Sequence, residues 1–162
     1  MCHVLFIASS APIPLIAATT PATISVEALA ENDAVHGRFP TDWCVRFIGA
    51  HTGCSCGFHS QPTWVDDQSG PPNDLADETA SRGRLAAIVA DLSAGGPIQL
   101  HGCWSGDEAI PAVAVKTVPP AWLGRARSPI PDGYSLLIDP TAPCPEDEDA
   151  WMDVPPSNGI IG

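Results

Sequence analysis

Eighteen prolines and fourteen glycines are scattered through this 162-residue chain. Proline removes a backbone donor and clashes with the preceding helical turn, and glycine weakens helix and strand interiors alike. Such a chain must fold from few, short regular elements joined by long loops. One stretch carries sustained helical spacing: Leu85, Ile88, Val89 and Leu92 recur at the intervals of a single buried stripe. Asn73 or Asp74 offers an N-cap, and Gly95-Gly96 supplies the stop. The pattern predicts a helix over about 74–94, with Glu78 and Arg82 paired one turn apart on its solvent side.

The remaining regular segments read as strands. Cys2–Ala8 is almost continuously apolar, which suits a strand buried on both faces. Trp43–Gly49 and Pro97–Cys103 alternate in character, and Ile24–Leu29, Val113–Val118 and Tyr134–Ile138 are shorter candidates. Pro111, just ahead of Val113, points to a sheet edge there. Short strands around one main helix make an α+β fold with a small mixed sheet and long Pro/Gly-rich loops. A chain of this length suits one domain and buries roughly 70% of its unfolded surface, so a hydrophobic core suffices without disulfides. Composition changes beyond Pro140, where Glu146-Asp147-Glu148-Asp149 sits among prolines. Residues 1–140 are therefore expected to form the domain and 141–162 an acidic, proline-rich tail.

Charge narrows the partners. Nineteen acidic residues oppose seven basic ones, a formal net charge of −12. Nucleic acids and anionic membranes recruit proteins through Lys and Arg, so neither is an expected partner. No run approaches the ~18 apolar residues of a membrane span. The apolar run Val4–Ala8 has no Lys or Arg before it and is soon interrupted by Pro12 and Pro14, so a signal peptide is not expected. The reading is a cytoplasmic protein in a reducing compartment, where cysteines are catalytic, metal-bound or free. Neither a glycine-rich nucleotide fingerprint, a Walker lysine nor a nucleophile-elbow serine occurs.

Chemistry concentrates in His51-Thr52-Gly53-Cys54-Ser55-Cys56-Gly57-Phe58-His59. Four soft or borderline ligands stand symmetrically about Ser55, and the glycines permit a tight backbone path. The spacing is not the paired C-x-x-C of a zinc ribbon and names no metal by itself. His101 and Cys103 stand two apart on one strand, and Cys2 opens the first strand beside His3. If the strands ending near Gly49 and Cys103 run parallel and the first strand runs antiparallel to them, all these ends meet. Cys2, Cys54, Cys56 and Cys103 would then converge, with His51 and His101 near. The plainer alternative makes Cys2 and Cys103 core residues, since free cysteine packs as a small hydrophobe. Asp107 and Glu108, just beyond Cys103, are candidate bases or ordinary turn residues. Cys44 and Cys144 have no ligand-like neighbours.

Three functions follow. The first is a metal-binding protein whose Cys54 and Cys56 thiolates are joined by Cys2, Cys103 or a histidine among His51, His59 and His101. Zinc is the favoured ion, with copper(I) or an iron–sulfur cluster as alternatives, and the role is structural or catalytic. The second is a redox or cysteine-nucleophile enzyme using Cys54 and Cys56. The third is an interaction module without chemistry.

Overall fold

The structure, a computed structural model, describes residues 2–17, 24–58, 74–126 and 129–147. Within them lie strands β1 (His3–Ser9), β2 (Ser25–Ala28) and β3 (Cys44–Gly49), helix α1 (Asp74–Ser93), strands β4 (Ile98–Trp104) and β5 (Ala114–Val118), helix α2 (Pro120–Arg125) and strand β6 (Tyr134–Ile138). Two 3₁₀ turns, Ala34–Arg38 and Ser55–Phe58, complete the regular structure. The strands form one six-stranded sheet in the order β2-β3-β1-β4-β6-β5. The fold is α+β, as the strand and helix patterns predict.

The apolar first segment becomes β1, a central strand. Leu5 and Ile7 lie in the core beneath the helices, while Phe6 and Ala8 lie in a second cluster with Val35, Phe39, Val45 and Cys103. Successive residues of a strand face opposite sides, so burial on both faces demands a continuous apolar run. β1 pairs antiparallel with β3 and with β4, which therefore run in the same direction. β5, preceded by Pro111, pairs parallel with β6 and closes one edge of the sheet.

Leu85 and Val89 of α1 are fully buried against the sheet, with Ala86, Ile88 and Leu92 packed at the margin. The chain leaves the helix at Gly95, whose N–H donates to Leu92 O (2.9 Å). One expectation for this helix is corrected. Glu78 and Arg82 do pair, at 3.9 Å, but their side chains are only 12% and 7% exposed, not on a solvent face. The reason is α2, a short helix not anticipated from the sequence. It begins on Pro119-Pro120, with proline in the first turn where no N–H is needed, and it rests on the same part of α1. Its Gly124 approaches Gly83 and Ala86 so closely that an added Cβ would lie 3.4 Å from the Ala86 methyl.

The expected tail is described only as far as residue 147. Within that portion, Cys144 packs against the main core, and the Arg125 guanidinium lies 3.9 Å from its sulfur.

Two substitutions on α1 should move stability in opposite directions. Leu85→Ala removes a fully buried side chain and should cost about 2–5 kcal/mol. Gly83→Ala adds a methyl with nothing within 4 Å of it and should stabilise by about 0.5–1 kcal/mol. Urea-unfolding midpoints read both, and a loss at Gly83→Ala would contradict the open environment of that glycine.

Candidate metal centre

The site grows from a break in the sheet ladder. β1 and β3 pair from Ser9↔Cys44 to Phe6↔Phe47. The next pair would be Leu5 opposite Ile48, but β3 ends at Gly49 and the chain turns away. Backbone groups left at such an end must find other partners. Here Leu5 N–H donates to Ser55 Oγ (2.9 Å), and that hydroxyl donates to Ile48 O (2.6 Å). One fully buried serine hydroxyl thus replaces a missing rung.

Its neighbours on either side serve the next rung. His3 N–H donates to Cys56 Sγ (3.2 Å), while the thiols of Cys54 and Cys56 approach His3 O at 3.7 and 3.8 Å. Cys56 N–H donates to Cys54 Sγ (3.3 Å), and the two sulfurs are 2.9 Å apart. The segment that delivers them is tied to itself: Gly53 N–H donates to Ala50 O, and Thr52 Oγ1 donates to Cys54 O. Gly53 holds a positive φ of 74°, which favours glycine. Gly57 admits no side chain, because a Cβ would stand 2.8 Å from the Ala50 methyl and 2.9 Å from the His51 ring.

Cys2 completes the group. Its carbonyl accepts from Ser105 N–H (2.8 Å), anchoring the start of β1 to the end of β4. The sulfurs of Cys2, Cys54 and Cys56 all lie within 4.8 Å of one another. Among the described residues these three are the one group of Cys, His, Asp or Glu side chains able to hold a metal ion. Sulfurs sharing one zinc at about 2.3 Å and tetrahedral angles sit about 3.8 Å apart. The group therefore needs only a small opening of the Cys54–Cys56 contact to match. Cys2 is exposed and the other two are half-buried. Burial first, and then the neighbouring Cys56 thiol, push Cys54 up to about 11. A metal ion would have to displace that proton, as coordination does.

The other candidate residues go elsewhere. Val4 pairs with Cys103 and Phe6 with His101, so both β4 side chains share the sheet face opposite the helices. Cys103 is 2% exposed within the second apolar cluster. Burial, then Glu108, Asp132 and Asp107, push its thiol up to about 12. His101 is buried with Nδ1 3.0 Å from Ser135 Oγ. Burial holds its pKa below the ordinary value, Arg38 lowers it further, and the Tyr134 backbone and Asp132 offset part of this. His51 is drawn to α1, where Ser81 Oγ accepts its N–H (3.3 Å) and lies 2.9 Å from Nδ1. Both Glu108 carboxylate oxygens accept from Gly106 N–H at 3.0 Å, so this residue closes its own turn. Asp107 N–H donates to Trp104 O in the same turn. Cys44 packs on the core. His59 lies outside the described residues.

Ser55 is the site residue that sequence spacing alone does not single out. Its signal was its place at the centre of the Cys-x-Cys, but one of its two partners, Leu5, is some fifty residues away in β1. No protein-family model, curated protein or solved structure matches this chain. The functional reading therefore stands on these contacts.

Two measurements test this account. Ser55→Ala leaves the Leu5 N–H and Ile48 O without their partner and should cost about 1–3 kcal/mol, with faster amide exchange at Leu5. Unchanged stability and exchange would show that the hydroxyl bridge is dispensable. Acid should also weaken the fold through its buried histidines. His3 is held near 4, mainly by burial, with Asp132 opposing and His101 assisting, and His101 is shifted the same way. The unfolded chain binds these protons near pH 6.5, so stability is full above that pH and falls as pH drops toward the folded values. Urea midpoints between pH 7.5 and 5 should decline, less steeply in His101→Asn. A flat wild-type profile would overturn the assignment of neutral buried imidazoles.

Proposed function

We propose that this protein binds a soft metal ion through the thiolates of Cys2, Cys54 and Cys56, with zinc as the occupant. The single observation that carries this reading is the gathering of three sulfurs within 4.8 Å from two distant chain segments. Two backbone N–H groups, of His3 and Cys56, donate to the sulfurs of Cys56 and Cys54 and hold them in place. Thiolates select zinc and copper(I) among common ions. Zinc takes four ligands, and three protein ligands with an exchangeable fourth mark an open centre rather than a closed structural one. His59, three residues beyond Cys56, is a candidate fourth donor in sequence. An iron–sulfur cluster asks for four cysteines, one more than this group supplies. Copper(I) is the alternative ion.

The same proposal places the protein in a reducing cytoplasm, with residues 1–140 as its domain, 141–162 as an acidic tail, and no nucleic-acid partner. No helix among the described residues is long and apolar enough to cross a membrane.

The 2.9 Å Cys54–Cys56 contact favours a second reading, a dithiol that cycles with a disulfide. Oxidation by a small-molecule disulfide would join the two sulfurs and pass their two protons and two electrons to the oxidant, which leaves as two thiols.

Metal content of protein purified without added metal or a metal-affinity tag separates these readings. Zinc near one per chain is expected. Cys2→Ser, Cys54→Ser and Cys56→Ser should each lose most of it, while Cys44→Ser and Cys103→Ser should keep it. Unchanged metal in Cys54→Ser and Cys56→Ser would end the metal reading. Metal-free protein bearing a reducible Cys54–Cys56 bond would establish the second.

A further inference from the structure

We infer that the three-thiol group is also a receptor for arsenous acid, the neutral oxyacid of trivalent arsenic, which it takes up as a single trithiolate adduct. This deepens the reading of Cys2, Cys54 and Cys56 as one ligand set and rests on it. Three observations lead to this ligand class.

The first is donor number. Among the described residues the group offers three sulfurs and no fourth ligand atom. Trivalent arsenic binds three donors in a pyramid and keeps a lone pair in the fourth direction, so it asks for nothing more. The second is charge. The hydrogen-bond partners of the Cys54 and Cys56 sulfurs are backbone groups and each other, with no Lys, Arg or histidine ring among them. The chain as a whole carries a net charge of −12. Three thiolates would leave a site of charge −2 around copper(I) and −1 around zinc, and among the described residues no cationic side chain is hydrogen-bonded to the Cys54 and Cys56 sulfurs. A trivalent centre leaves it neutral. The third is access, because Cys2 is exposed and Cys54 and Cys56 are half-buried. A small uncharged acid meets no electrostatic barrier at an acidic surface.

The reaction balances without a redox step. Each S–H proton leaves with one arsenic-bound hydroxyl as water, and one arsenic–sulfur bond replaces each arsenic–oxygen bond. Three thiols and one arsenous acid thus give one trithiolate and three waters, with no change in charge.

The test uses the reduced full chain with sodium arsenite, read by intact mass and by thiol titration in denaturant, with zinc affinity measured separately by chelator competition. Wild type and Cys103→Ser should gain one arsenic and lose three titratable thiols. Phenylarsine oxide, which needs two thiols, distinguishes the donor count. Cys2→Ser should weaken arsenite capture by at least about tenfold, because the third thiol acts intramolecularly, while phenylarsine oxide binding persists. Circular dichroism confirms that each variant is folded. Zinc binding without an arsenic adduct would overturn this inference and leave the metal reading standing. Failure of folded wild type to bind either would overturn both. Arsenite capture by Cys2→Ser equal to wild type would reduce the site to two thiols and overturn the trithiolate.

Discussion

The candidate site depends on one hydroxyl. Where β3 parts from β1, Ser55 stands between Leu5 and Ile48 and carries the hydrogen bonding across the gap. A buried N–H or C=O left unpaired is costly, so this contact sets the position of the loop within narrow limits. Cys54 and Cys56, on either side of Ser55, are thereby held against the backbone of His3. Cys2, one residue before His3, needs no further device to join them. The thiols gather where β1 runs on past its last residue paired with β3.

Packing then divides the cysteines. β1 and β4 run side by side to the same end of the sheet, and Cys103 lies opposite Val4 in the register. Its side chain belongs to the face that also carries Phe6, Val35 and Phe39. Cys103 is therefore packed in that apolar cluster, apart from the group of three thiols. The same packing places His101 beside Ser135 and leaves it a buried neutral imidazole. Burial first, and then Glu108, Asp132 and Asp107, push the Cys103 thiol up and keep it protonated, a poor state for a nucleophile.

Helix packing shows a second limit of one-dimensional reading. The stripe Leu85–Val89 faces the core as its period requires. Glu78 and Arg82 occupy the expected spacing, yet α2 makes their surroundings interior. Periodicity tells which residues share a face, but it does not tell what else will be laid on that face. The Pro119-Pro120 start was a usable signal for α2, because proline in a first helical turn costs no hydrogen bond. The segment's brevity, six residues, kept its periodicity below notice.

The sequence by itself determined the element inventory: one long helix, several short strands, and an apolar first strand that had to be central. It also marked His51–His59 as the chemical segment, since two thiols in a glycine-bounded turn have little to gain from packing. Those properties are local, set by backbone preference and by residue spacing within a few positions. Which sulfurs share a site was decided only by tertiary structure. Cys2 and Cys54 are joined through contacts some fifty residues apart, made possible by the antiparallel placing of β1 between β3 and β4. Cys103 is instead buried in the second apolar cluster, across the register from Val4.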